Sequence, residues 1–250
     1  MRQSDRLDTI LERLSENGSV AVTALARDLG VSMATIRRDL ELLEGQRLLS
    51  RTHGGAVSHG VLYELPLRYR AGRHEAEKHR IADAAAARLD DARVVGLTGG
   101  TTTTEVARRI AGRTLTVVTN ALNIASELAV RPNLKLLVTG GVARPESYEL
   151  VGPMADATLE GLNIDVVFVG VDGVSRAGMT THHEVEAHTN RRMIERARRV
   201  VVVCDSSKIG RTALAVICGA RDIHQLITDD GAPAAELDEL RTAGIDVIVV

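Results

Sequence analysis

Seven short apolar runs in the last two thirds of this 250-residue chain constrain its fold more than any other feature. They lie at 93–97, 115–119, 134–139, 165–171, 199–204, 225–228 and 246–250, and helical segments separate most of them. A segment carrying Ile81, Ala85 and Leu89 precedes the first run, and another with Val106 and Ile110 follows it. Runs this apolar read as strands covered on both faces, and parallel neighbours need a crossover of about a dozen residues between them. The alternation therefore predicts an α/β domain over 75–250 with a Rossmann-like, mostly parallel, doubly wound sheet. Ligands of such sheets sit at the carboxyl ends of strands. That is where this chain places its Gly, Thr, Asn and Asp.

The first such end is Thr98, Gly99, Gly100, Thr101, Thr102 and Thr103, between a strand and a helix. A loop of this kind suits an anion. Backbone N–H groups at a helix start point outward, the helix dipole favours negative charge, glycines permit close approach and threonine hydroxyls add donors. It lacks the Gly-Lys-Ser/Thr ending of a Walker loop, and the alternative is a tight turn whose threonines cap the helix. Four further ends could share one pocket with it: Thr119-Asn120, Thr139-Gly140-Gly141, Val171-Asp172-Gly173 and the run from Cys204 and Asp205 to Lys208.

Lysine is scarce. Lys78, Lys135 and Lys208 are the only three among 31 basic residues, and Lys78 and Lys208 fall where they could approach the Gly/Thr loop. A lysine is a compact charge suited to one phosphate oxygen; a solvated loop side chain is the alternative for Lys208. The histidines at 182, 183 and 188 do not have HExxH spacing, so no metal is expected. Glu186 is the better candidate for a contact, accepting hydrogen bonds from ligand hydroxyls, with a helix-start charge as the alternative.

Residues 1–57 have a different pattern. Leu7, Ile10, Leu11 and Leu14 make one helical stripe ended by Asn17-Gly18, and Val22, Leu25, Ala26 and Leu29 make a second ended by Gly30. A third helix follows within three residues, the spacing of a helix-turn-helix. Its Ile36, Leu40 and Leu43 share one face, leaving Ala34, Arg37 and Arg38 on the other. Ser32 is placed to cap it towards Thr35. Two short extended runs about a polar turn, from Arg47 to Val57, then read as a wing whose Arg51 and His53 would lie on the DNA backbone or minor groove.

Charge limits what one such unit achieves. Residues 1–57 hold eight Lys/Arg and eight Asp/Glu; Arg37, Arg38, Arg47 and Arg51 cluster in the reading half, while Asp5, Asp8, Glu12 and Glu16 lie on the first helix. Few phosphate contacts give a modest counterion-release contribution, so binding to double-stranded operator DNA is expected to need a homo-oligomer, a dimer or tetramer, on paired half-sites. Residues 58–74, with Gly60, Pro66 and Gly72, read as a linker in which Leu62, Leu65, Leu67 and Tyr69 suggest partial packing.

The run VTALARDLGVSMATIRRDLELLEGQRLLSRTHGGAV, residues 22–57, resembles the DNA-binding domain of the DeoR family of bacterial sugar-metabolism repressors. TGGTTTTEVA, VVTNALNIASEL, VTGGVARPESYELVGPMA, VVFVGVDGVS and VVVVCDSSKIG resemble the sensor domain of the same family, which is similar in fold to ribose-5-phosphate isomerase. The resemblance implies that Gly100–Thr103 bind the phosphate of a phosphorylated sugar effector with help from Lys208 and Lys78. It also implies that Asn120, Asp172 and Glu186 face the sugar. Thr98 stands where family members often carry an aspartate.

Composition excludes several classes. At 2% aromatic residues with no Trp, the chain lacks the rings of a base-stacking platform. A net charge of −2 gives no global attraction to nucleic acid. Cys204 and Cys218 lie in apolar surroundings without metal or redox spacing, which fits a reducing, cytoplasmic setting. No run approaches a membrane span and no signal-like segment opens the chain. The expectation is a cytoplasmic repressor of a sugar catabolism operon, released from its operator by a sugar phosphate, with no enzymatic activity and no cofactor. The alternative is a sugar-phosphate isomerase-like enzyme in which Glu186, Asp172 and Lys208 move the proton.

Overall fold

Apolar spacing closes the first four leucine and isoleucine positions into helix α1 (Gln3–Asn17), which Gly18 ends at φ 70, a left-handed conformation that glycine adopts without a Cβ penalty. The computed structural model describes residues 2–46, 48–58 and 66–250. Strand β1 (Ser19–Ala21) and helix α2 (Val22–Asp28) follow, then Gly30 at φ 65, then α3 (Met33–Gly45). Strands β2 (Ser50–Thr52) and β3 (Gly55–Val57) make the wing. The wing has three strands in the order β1-β3-β2, all antiparallel; β1 is too short to show a period in sequence. A Cβ on Gly55 would lie 1.8 Å from the carbonyl oxygen of Val20, so only glycine lets β3 approach β1 here. Arg47 and residues 59–65, with the expected packing of Leu62 and Leu65, lie outside the described residues.

This unit runs to Tyr69, and a second unit spans Arg70–Val250. The first has its own core of Ile10, Leu11, Leu14, Leu25, Ile36, Leu40, Leu43 and Leu49, with Tyr69 packed against it. A single turn, α4 (Leu67–Arg70), falls inside the segment read as a linker and carries the chain from one unit into the other.

The second unit begins with α5 (Glu75–Ala86), β4 (Val94–Leu97), α6 (Thr101–Ile110), β5 (Leu115–Thr119), α7 (Leu122–Leu128) and β6 (Leu134–Val138). A two-stranded ribbon, β7 (Val142–Ala143) and β8 (Leu150–Val151), leads to α8 (Pro153–Glu160) and β9 (Ile164–Val169). Then come β10 (Gly173–Ser175), β11 (Gly178–Thr181), α9 (Glu184–Glu195), β12 (Ala197–Val203), β13 (Ala215–Cys218), β14 (Gln225–Thr228), α10 (Ala234–Thr242) and β15 (Asp246–Val249). Seven strands form one parallel sheet in the order β15-β14-β12-β9-β4-β5-β6. Alternate residues feed two cores: Val166, Phe168, Val201 and Val203 on one face, Val167, Val169, Val200 and Val202 on the other. Sequence reading located the seven strands but not the separate antiparallel sheet β10-β11-β13, whose strands are only three or four residues long, β10 and β11 being polar or glycine-containing and β13 a single short apolar run.

The most consequential feature of the first unit is a buried ion pair. Arg6 Nε and Nη2 donate to Asp39 Oδ2 and Oδ1 at 2.5 and 3.0 Å, with side chains 9% and 1% exposed. It ties α1 to the helix whose other face carries Arg37 and Arg38. Removing one partner strands the other charge in an apolar setting. Asp39→Ala is expected to destabilise the unit by about 3 kcal/mol, whereas the apolar pair Arg6→Met with Asp39→Leu recovers most of that loss. Urea unfolding of the full chain followed by circular dichroism measures both, and an Asp39→Ala midpoint equal to wild type would contradict it.

Candidate functional site

Helix α3 forms as its cap dictates. Ser32 Oγ accepts the Thr35 N–H at 3.1 Å and lies 2.9 Å from Thr35 Oγ1. Ile36, Leu40 and Leu43 turn inward, while Ser32, Ala34, Arg37 and Arg38 are exposed and Thr35 half-buried. Neither Arg37 nor Arg38 forms an ion pair with a described residue. In the wing, Arg51 is partly engaged: its backbone N–H donates to Glu44 Oε1 at 3.0 Å and its guanidinium lies 3.7 Å from Glu44 Oε2. His53 is exposed at the wing turn. The seven residues expected to read DNA therefore fall on α3 and the adjoining wing.

The second unit holds an open pocket lined by Arg70, Arg73, His74, Lys78, Gly100, Thr101, Thr102, Gly170, Val171 and the stretch from Val203 to Lys208. Its floor is the ends of β4, β9 and β12. Gly100 stands before α6 at φ 129, a region that side chains rarely adopt, and so aims the first N–H groups of the helix outward. Thr103 and Thr104 Oγ1 both donate back to the Gly100 carbonyl, at 3.0 and 2.7 Å, which leaves Thr101 and Thr102 as the threonines on the pocket. Four cationic side chains converge on it. Arg70 Nη1 donates to Asp172 Oδ1 at 3.0 Å, and Lys208 Nζ lies 3.8 Å from the same oxygen. Nε and Nη2 of Arg73 are buried and have no hydrogen-bond partner among the described residues. Lys78 Nζ donates to the carbonyls of Arg70, at 2.9 Å, and of Arg73, leaving one of its three protons for another acceptor.

Burial pushes the Lys78 ammonium down to about 8; Asp205 opposes the fall, and Lys208, Arg70 and Arg73 add to it. Burial alone would raise Asp172, but Arg70, Lys208 and His182, with a hydrogen bond from Thr181, hold it below the usual carboxylate range. Asp205 is also lowered, since the Ser207 hydrogen bond and the Lys208, His74 and Lys78 charges outweigh its burial. These are the signs of a site with surplus positive potential, suited to an anion.

Several expected residues sit elsewhere. Thr98 is fully buried, and its hydroxyl accepts the Gly170 N–H at 3.0 Å. Gly99 packs so tightly that a Cβ would lie 2.3 Å from Glu149 Oε1. Asn120 is buried, donating to Glu149 Oε2 at 3.2 Å and Asn190 Oδ1 at 3.1 Å. Glu186, 2% exposed, pairs with Arg144. Gly140 and Gly141 occupy positive φ, 74 and 115, in the turn between β6 and β7. The structure thus brings Lys78, Gly100, Thr101, Thr102 and Lys208 together, with Asp172 joined to them through Arg70 and Lys208. Thr98, Gly99, Thr103, Asn120 and Glu186 stand behind or beside that group. Glu186, Asp172 and Lys208 are neighbours, with Thr181 Oγ1 2.9 Å from Asp172 Oδ2 and 3.4 Å from Glu186 Oε2 and with Lys208 Nζ 3.8 Å from Asp172 Oδ1. As an isomerase cast they are poorly suited, because Glu186 is tied to Arg144 and a lowered Asp172 is a weak base.

Sequence reading missed Arg70, Arg73 and His74, which lie in the segment taken as a linker. His74 has φ 49, a strained value for a residue with a side chain, and no sequence signal marks it. The histidine segment has a structural explanation: His183 Nδ1 accepts the Val185 N–H at 3.2 Å and caps α9. Both cysteines are buried and free, and burial pushes the Cys218 thiol up to about 12. Among the described residues, no helix is long and apolar enough to cross a membrane.

Two family descriptions match this chain: a DeoR-like helix-turn-helix domain over residues 6–60 and a DeoR C terminal sensor domain over 73–230. A putative aga operon transcriptional repressor of Escherichia coli O157:H7 is 39% identical over 252 residues, covering 99% of this chain and 94% of that protein. The HTH-type transcriptional regulator GlpR of Haloferax volcanii is 36% identical over 254 residues, covering 99% and 98%. Among solved structures, ribose 5-phosphate isomerase A of Methanocaldococcus jannaschii is similar at a TM-score of 0.38 and 18% identity, over 57% of this chain and 55% of that one. These full-length relatives are regulators of transcription, not enzymes. With a helix-turn-helix unit in front of a parallel α/β sensor unit and both matched along their length, this chain belongs to the DeoR family of transcriptional regulators.

Proposed function

We propose that the protein is a repressor of a sugar catabolism operon that binds its operator as a homo-oligomer and is released by a phosphorylated sugar held in the pocket of the second unit. The observation that carries the reading is the convergence of four cationic side chains on the start of α6. Helix N-termini and guanidinium or ammonium groups both favour phosphate, and together they suit a dianion better than any neutral ligand. Relatives named as an aga operon repressor and as GlpR agree with a regulator of this kind. The ligand acts by binding one arrangement of the copies more tightly than another, since only that difference shifts an equilibrium.

Gel shift with the DNA upstream of the protein's own gene is the direct test. Protection is expected at submicromolar protein in low salt, weakening steeply as salt rises because the contacts are to phosphates. Arg37→Ala with Arg38→Ala is expected to abolish it without changing the unfolding midpoint. No shift at micromolar protein in 50 mM salt would count against the reading.

A panel of pentose and hexose phosphates read by thermal shift tests the pocket. At least one is expected to stabilise the protein without being turned over, and its parent sugar is expected not to. Lys208→Ala should weaken that ligand roughly 10- to 100-fold, the range for losing a charge-assisted hydrogen bond of about 1.5–3 kcal/mol. Unchanged stabilisation in Lys208→Ala would remove the residue from the site.

The pH dependence has a definite sign. Lys78 titrates near 8 because burial disfavours its charge, and a bound anion favours the charged form. Affinity for a sugar phosphate is therefore expected to rise as pH falls from 9.5 through 8 to 7, with proton uptake on binding near pH 8. Calorimetric titration across that range measures it. In Lys78→Met the same slope should be absent; a slope that persists would assign it to another group.

A further inference from the structure

The cationic side of the pocket is built from the segment that links the two units, and this gives the pocket a way to act on that segment. Arg70 closes the turn α4, and Arg73 lies three residues on, ahead of α5. The backbone between them is clamped, because Lys78 Nζ donates to the carbonyls of both. Their guanidinium groups differ in state. Arg73 presents buried Nε and Nη2 atoms with no acceptor among the described residues, while Arg70 is held by Asp172. Asp172 does not depend on Arg70 alone. Its Oδ2 accepts from Thr181 Oγ1 at 2.9 Å and His182 N at 3.3 Å, and Lys208 Nζ stands 3.8 Å from Oδ1.

We propose that Arg70 and Arg73 are phosphate ligands, and that Arg70 leaves Asp172 for the bound phosphate, so that pocket occupancy changes what holds the turn joining the two units. The proposal rests on the reading of the pocket as a phosphate site. A guanidinium matches a phosphate with two parallel N–H donors as it matches a carboxylate, so the exchange replaces one charge-assisted pair by another. Asp172 keeps the Thr181 hydroxyl and the His182 N–H and is not orphaned. Arg73 has an unmade hydrogen bond at stake and gains without giving up a partner. Asp172 is then a competitor of the effector, and removing its charge should strengthen phosphate binding through Arg70.

Calorimetric titration of the full-length protein with inorganic phosphate at constant ionic strength tests this, with a probe that carries no sugar hydroxyls for Asp172 to contact. Arg73→Gln is expected to weaken phosphate about tenfold or more, the loss of one charge-assisted hydrogen bond. Asp172→Asn is expected to tighten it severalfold, and that gain should vanish when Arg70→Gln is the background for the same substitution. A gain of the same size in the Arg70→Gln background would show that Asp172 acts by its field alone, and would overturn the exchange while leaving the phosphate site intact. Arg73→Gln equal to wild type would remove Arg73 as a ligand, a result independent of how well the Arg70 variants fold. Wild-type protein that binds neither inorganic phosphate nor any sugar phosphate would overturn the site reading and this proposal together.

Discussion

The pairing of β4 with β9 is the constraint on which the second unit depends. From β4 the sheet grows one way through β5 and β6 and the other way through β9, β12, β14 and β15, so the loops after β4 and β9 part and open a crevice between them. The pair is pinned at both ends. At its start, Asp165 Oδ2 accepts the N–H groups of Arg93 and Val94, both at 2.9 Å, which holds that carboxyl below its ordinary range. At its end, Thr98 N donates to the Phe168 carbonyl at 3.2 Å and Thr98 Oγ1 accepts from Gly170 N at 3.0 Å. A Cβ on Gly170 would lie 2.7 Å from the Gly99 carbonyl oxygen, so the strand ends meet at a distance that only glycine permits. The Gly100–Thr102 loop is aimed by this junction.

Thr98 shows why some of the site was legible in sequence and some was not. Strand ends, the Gly/Thr loop and the rare lysines are local signals, and they led to Gly100, Thr101, Thr102, Lys78 and Lys208, which line the pocket. Periodicity likewise located the seven parallel strands and the three N-terminal helices, because each depends on residues a few positions apart. Strand order is not local, so the crevice at β4 and β9 could not be read, nor could the turning of the Thr98 hydroxyl towards Gly170 instead of the pocket. Arg70 and Arg73 were hidden for a related reason. Among 28 arginines in this chain nothing in their flanks sets them apart; Arg70 meets Asp172, 102 residues away, only through the fold. Asp39 was missed in the same way, since its partner Arg6 is brought to it only by packing of α1 on α3.

The cations of the pocket are not interchangeable. Lys78 is the most buried of them, at 3% exposure, and spends two donors on backbone carbonyls, so it positions the Arg70–Arg73 turn as much as it supplies charge. A compact ammonium suits that task, since two carbonyls at the end of a helical turn can share it. The guanidinium groups have the geometry for two-point contact with phosphate. Lys208, three residues beyond the lowered Asp205, faces both that carboxylate and Asp172. The site therefore sets four cationic side chains against two carboxylates, and in the proposed exchange an anion enters by redistributing partners already in place.

The first unit obeys the opposite economy. Within 1–57 its eight basic and eight acidic residues balance, and four of the basic ones are paired: Arg6 with Asp39, Arg13 and Arg27 with Asp28, Arg51 with Glu44. Arg37 and Arg38 remain exposed on α3 without such a partner among the described residues. Two phosphates neutralised per copy correspond to a salt slope of about −1.8 on B-DNA, against about −10 for a strongly bound repressor. In the proposed homo-oligomer, the affinity for an operator would come from several copies docked in register, because contributions from linked sites multiply while each stays weak. Control of such an assembly does not need to touch α3 at all. On the proposed exchange, a change in how the turn at Arg70 is held would act on each copy's helix through the chain alone, and losing register at one half-site would forfeit the gain from linking the others.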